Sequence, residues 1–140
     1  MPEEEPLERR LVRAILHITG PQHPFRLSRY LLWLDLEHAR RHGSKLTGFD
    51  YVLGPAVFYI ENFPAFLENT PGVVRITQTT PDGLTRGAFA LQGDEYDRSL
   101  PPEVESLLEE ILAEATGLTD DELNKAVVER LDYRALVEEA

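Results

Sequence analysis

A chain of 140 residues with 42% hydrophobic and 28% charged side chains can bury one core but is too short for two, and it is unlike a disordered tail. The absence of Cys excludes disulfides, thiolate nucleophiles and thiolate metal sites, and makes the cytosol the expected compartment. The net charge of −11 is uneven: residues 1–48 hold eight basic and six acidic groups (+2), residues 49–93 two and four (−2), and residues 94–140 four and fifteen (−11), which confines any surface for phosphate backbones to the first half.

Met1-Pro2-Glu3-Glu4-Glu5-Pro6 is acidic where a secretory signal is basic, and no apolar run approaches the roughly 20 residues that span a bilayer, so no membrane is expected as partner. Leu7, Leu11, Ala14, Ile15 and Ile18 recur at helical spacing and predict a helix from about Leu7 to Thr19, ended by Gly20-Pro21. After a turn at Gln22-His23-Pro24, the apolar stretch from about Arg26 to His42 predicts the central helix. Arg40, Arg41 and His42 suit its carboxyl end, and Gly43 its C′ position.

Leu46 to Leu53 reads as a compact connection. Gly54-Pro55 then predicts a helix start, with Ala56, Val57, Tyr59 and Ile60 as its inner face; Pro64 stops or kinks it, and Asn62 caps a short second piece. Val73–Thr79 and Leu84–Leu91, two β-prone runs about Thr80-Pro81-Asp82-Gly83, predict a β-hairpin. An acidic linker from Gly93 to Ser99 leads to a helix opened by Pro101-Pro102, with Val104, Leu107, Leu108, Ile111, Leu112 and Ala115 on one side, ending at Gly117. Thr119-Asp120-Asp121-Glu122 has the form of a capping box for the last helix, Ala126, Val127 and Leu131 continue its inward face, and Tyr133, Leu136 and Val137 are expected to dock the tail. The whole reads as a single mainly α (α+β) domain over residues 1–140, a compact helical domain with one β-hairpin in winged-helix-like order. A single Met, many Leu, Arg and Glu, and proline-rich connections suggest a thermophile.

His38 and His42 stand four apart, with Asp35 three before His38, a spacing at which zinc or iron binds. The helix lacks the Glu of a zinc peptidase, so the expected reading is hydrogen-bonded or solvent-facing histidines, with no metal or other cofactor. The acidic pairs fall on polar faces, and no phosphate loop or nucleophile elbow is present, so no enzyme is expected. Phe58, Tyr59, Phe63 and Phe66 around Pro64 are candidates for a protein-binding groove. The alternative is a winged-helix DNA-binding regulator using Arg26, Arg29, Arg40, Arg41 and Lys45, although its recognition segment, Gly54 to Phe66, is poor in base-reading side chains.

Arg29-Tyr30-Leu31-Leu32-Trp33-Leu34-Asp35-Leu36-Glu37-His38, then Gly43, Leu46-Thr47-Gly48, Tyr51 and Gly54-Pro55-Ala56-Val57, resembles the Panacea domain, also described as SocA-like or phage-associated GepA-like. The resemblance covers roughly residues 7–68, and the last helices more loosely. Leu31, Asp35, His38, Thr47, Gly48, Tyr51, Gly54 and Pro55 correspond to the family's signature. Ser28-Arg29 stands where a lysine usually opens the central helix, and Val52-Leu53-Gly54 replaces an aromatic-Gly pair. Membership implies a mostly helical fold and a place in toxin–antitoxin loci, as an antitoxin that neutralises a toxin or as a proteolytic adaptor. The signature also has a physical reading: Gly48 and Gly54 relieve the backbone beside Tyr51, and Asp35 holds Tyr51 or the Thr47 hydroxyl in a packed corner. The expected function is therefore a non-enzymatic protein-binding domain whose partner is a toxin, a protease or a second copy of the chain.

Overall fold

The structure, a computed structural model, describes residues 6–54, 57–79, 81–92, 100–129 and 137–138. Helix α1 (Leu7–Thr19) and helix α2 (Pro24–His42) come first. α2 begins two residues before the expected Arg26 because Pro24 occupies its first turn and the His23 Nδ1 accepts a hydrogen bond from the Phe25 N–H at 3.0 Å. It ends as expected, on Gly43 in the left-handed conformation (φ 85°), whose N–H donates to the Ala39 carbonyl. Every residue from Leu27 to Leu36 is buried. α2 is thus the axis of the core, packed against α4 (Pro102–Ala115), α5 (Asp120–Val128) and β2 (Val57–Ile60).

The helix expected from Gly54 is not there. Tyr51–Gly54 (β1) and Val57–Ile60 (β2) pair antiparallel, Tyr51 opposite Ile60 and Gly54 opposite Val57, on either side of Pro55 and Ala56, which lie outside the described residues. β-branched and aromatic side chains dominate both runs, and burial alternates: Phe58 and Ile60 point in and Tyr59 points out, a period of two. Among the described residues β2 is an edge, because the sheet runs β2-β1-β5 with β5 (Val137–Glu138) parallel to β1.

Pro64 does not stop a helix but opens one, α3 (Phe63–Glu68), where the first turn tolerates it. Asn62 precedes α3 in the left-handed region (φ 59°), and its side chain makes no cap hydrogen bond. Among the described residues, a strand and a six-residue helix stand where the winged-helix reading places its recognition helix.

β3 (Val73–Thr79) and β4 (Thr85–Leu91) form the expected hairpin in unbroken register, with Gly83 at φ 85° in the turn. Gln22 extends β4 by a two-way backbone bridge to Phe89, and Phe89 is buried, so the ribbon is anchored at that end. Arg13 reaches from α1 to the Pro71 carbonyl at 3.1 Å and holds the hairpin's base. The capping box is present: Thr119 Oγ1 accepts from Glu122 N–H at 3.2 Å, and Glu122 Oε1 accepts from Thr119 N–H at 2.9 Å. Those backbone and side-chain hydrogen bonds hold the Glu122 carboxyl below its usual pKa. Leu131, expected on the inward face of the last helix, and Tyr133 and Leu136, expected to dock the tail, lie outside the described residues, as does the linker from Gly93 to Ser99.

Candidate functional site

Two side-chain clusters on α2 stand out, one sealed and one open. The sealed one centres on Asp35. Its Oδ1 accepts from the Leu46 N–H at 2.9 Å and the Thr47 N–H at 2.8 Å; its Oδ2 accepts from the Thr47 hydroxyl and the Tyr51 phenol, each at 2.6 Å. Asp35 and Tyr51 are both 0% exposed, so the cluster is closed to solvent. Four short donor contacts to one carboxylate compensate the burial of its charge. Burial, and then the neighbouring Asp35 charge, push the Tyr51 phenol well above its ordinary pKa.

The other signature residues surround this corner. Leu31 lies in the core one turn earlier, and Gly48 donates its N–H to Glu8 Oε1 of α1 at 2.7 Å. The approach at Gly48 is close: a Cβ there would sit 3.1 Å from that oxygen, so the Glu8 carboxylate would have to give by a few tenths of an ångström. Gly54 ends β1, His38 Nδ1 is 2.6 Å from the Ser44 carbonyl, and Pro55 lies outside the described residues. The spacing that put Asp35 beside His38 and His42 does not make a three-ligand metal site, because Asp35 is turned inward onto Thr47 and Tyr51. Among the described residues no three or more His, Asp or Glu side chains form a group able to hold a metal ion.

The open cluster is a groove of about 340 Å³ between the start of α2 and the β2–α3 junction. His23, Pro24, Phe25, Ser28 and Arg29 line one side, and Phe58, Tyr59, Ile60, Phe63 and Pro64 the other. Three of the four aromatic residues singled out in the sequence therefore converge here, but their parts differ. Phe58 and Phe63 are buried walls, whereas Tyr59 on the β2 edge is 46% exposed. Phe66 does not line the groove; it packs against Phe49 at 5.1 Å between ring centres and stacks on Phe63.

Arg29 forms part of the groove's lining and is 2% exposed. Its guanidinium lies between two rings, 3.9 Å from the Phe25 centre and 4.1 Å from that of Phe58. Its Nε donates to Asn124 Oδ1 at 3.0 Å and its Nη1 to Ser28 Oγ at 2.9 Å, tying α2 to α5. The sequence carries half of this signal, since Phe25 and Arg29 are four apart on one helix face. The other half, Phe58 and Asn124, is brought in by the fold.

Arg26, Arg40, Arg41 and Lys45 each have a partner, within α2 or across to a neighbouring element. Arg26 joins α2 to α4 and α5 through Asp120 at 2.8 Å and the Leu118 and Ala115 carbonyls. Burial alone lowers its pKa, but the hydrogen bonds to Asp120 and Tyr30 carry it above the ordinary value. Arg40 pairs with Glu37, Arg41 with Glu37 and Glu110, and Lys45 donates to the Phe49 carbonyl beside the Tyr51 ring. Of the five cations proposed for DNA, Arg29 is buried and Arg26 is tied into the helix junction, whereas Arg40 and Arg41 stand at the surface in ion pairs.

Among the described residues no helix is long and apolar enough to cross a membrane. No family model, curated protein or solved structure matches the chain.

Proposed function

We propose that this chain is a non-enzymatic protein-binding domain, antitoxin-like in the sense of the Panacea resemblance, that neutralises or adapts a protein partner seated in the groove between α2 and the β2–α3 junction. The observation that carries this reading is Tyr59, a large aromatic half exposed beside walls made by Phe25, Phe58 and Phe63. Partly exposed aromatics over pre-packed apolar walls are typical interface anchors, because they add contact area with little ordering entropy. The edge position of β2 supports an extended partner segment laid beside it.

The toxin-neutralising part of the proposal is tested in cells. Co-expression with a short toxin-like neighbouring gene should restore growth with the wild-type chain and fail with Tyr59→Ala. Equal rescue by the Tyr59→Ala chain would remove the groove from the function. A wild-type chain that neither rescues growth nor forms a stable complex, as judged by mass measurement of the purified pair, would remove the antitoxin reading itself.

A further inference from the structure

A second hollow, about 470 Å³, lies between the carboxyl end of α2 and the amino end of α4 and is lined by His38, Arg41, His42, Leu46, Pro101 and Glu103, among others. The two imidazoles have their ring centres 4.6 Å apart at a tilt of 40°. That spacing has a chemical meaning. With metal–nitrogen bonds of roughly 2.0–2.1 Å and a ring centre about 1.1 Å behind each nitrogen, two imidazoles bound cis at about 90° have centres roughly 4.5 Å apart.

One ring nitrogen of His38 is already engaged, which leaves the other as its candidate ligand atom. Its Nδ1 lies 2.6 Å from the Ser44 carbonyl, and a ring donating there keeps Nε2 as a lone pair, the arrangement that outer hydrogen bonds impose on metal-binding histidines. Both residues stand in the last turns of α2, where the helix dipole favours a cation. The neighbouring cations are paired, Arg41 with Glu37 and Glu110 and Arg40 with Glu37, and Glu103 adds a carboxylate to the hollow's rim.

We propose that His38 and His42 form a two-imidazole chelate for an exchangeable late first-row divalent ion, with water completing its coordination shell. Two nitrogen ligands and open remaining positions select Cu2+ over Ni2+ and Zn2+ by the general order of stabilities, and they disfavour Mg2+ and Ca2+, which take oxygen ligands.

The test is calorimetric titration of the full chain with Ni2+ in an excess of Mg2+. One Ni2+ should bind per chain. His42→Ala, at an exposed position, should weaken binding on the order of a hundredfold, because one arm of a two-armed ligand is lost. His38→Ala should do the same, and His17→Ala, an exposed histidine on α1, should leave the affinity unchanged. With Cu2+, the paramagnetic spectrum should show coupling to two nitrogens in the wild type and to one in His42→Ala. No binding by the wild type, unchanged affinity in His42→Ala, or displacement of Ni2+ by Mg2+ would each overturn the proposal, the last by pointing to surface carboxylates.

Discussion

Asp35 and Arg29 are buried charges on the same helix, and the fold treats them in opposite ways. Asp35 is enclosed by four donors from one short loop and the strand that follows, so its cluster works as a staple between α2 and residues 46–51. Arg29 is covered on its two faces by rings, and one of those rings, Phe58, continues as the wall of an open groove. A sealed and saturated charge reports on folding; a charge that stiffens the lining of a groove reports on a surface. The distinction is drawn by what covers each group and not by its burial, since Asp35 is 0% and Arg29 2% exposed.

The sharpest way to break this comparison is to remove the staple. Asp35→Ala leaves two backbone N–H groups, a hydroxyl and a phenol inside the protein with no acceptor, and should destabilise the domain by about 3–5 kcal/mol. That is a large share of the roughly 5–15 kcal/mol that holds a typical domain together. Urea unfolding measures it; a loss below about 1 kcal/mol would mean that Asp35 is not structural.

Tyr51→Phe probes the same cluster more gently, removing one hydrogen bond to a charged acceptor for about 1.5–3 kcal/mol. It also carries a pH signature. The folded chain keeps a phenolic proton that the unfolded chain releases near its ordinary pKa of about 10, because burial and Asp35 raise the folded value. The stability this provides is complete below about pH 10 and declines by about 1.4 kcal/mol per unit above it, until the folded phenol itself ionises. Unfolding midpoints between pH 9 and 11 should therefore fall more steeply for the wild type than for Tyr51→Phe.

Smaller still is Gly48→Ala, whose Cβ must displace Glu8 Oε1 from 3.1 Å; about 1 kcal/mol is expected. The cause is identified by the pair: in a Glu8→Ala background the same substitution should lose most of its effect. An undiminished effect would place the strain in the backbone instead.

Legibility in the sequence followed the range of the interactions. Helices α1, α2, α4 and α5 and the β3–β4 hairpin were readable because their apolar periods, Gly43, Gly83 and the Thr119–Glu122 box act within a few residues. The Asp35–Thr47–Tyr51 corner was reachable through the family resemblance, which placed those three positions in one signature. The β1–β2 pair was not, because Gly54-Pro55 is also a good helix start, and that local signal masked the alternation of Phe58, Tyr59 and Ile60. Reading those residues as a helix puts Tyr59 on the inner face, although the aromatic cluster also marks it as a groove candidate; which of the four aromatics is exposed follows only from the strand alternation. The Arg29 sandwich needs Phe58, which is remote in sequence from α2 and is placed by the β1–β2 pairing.

Tyr59→Ala is the smallest expected change in stability and the sharpest test of the open half of the comparison. Its side chain is 46% exposed, so truncation should shift the unfolding free energy by no more than about 0.5 kcal/mol. Phe58, one residue earlier and 1% exposed, should cost about 3–5 kcal/mol as Phe58→Ala, since a cavity opens against Arg29 and the Tyr51 ring. Affinity for the proposed partner should behave in the reverse sense: Tyr59→Ala should weaken it by about 2 kcal/mol or more while the fold stays intact. If Tyr59→Ala instead unfolds the chain, β2 is held by that ring and the groove is part of the core; if it changes neither stability nor binding, the groove is only a surface depression.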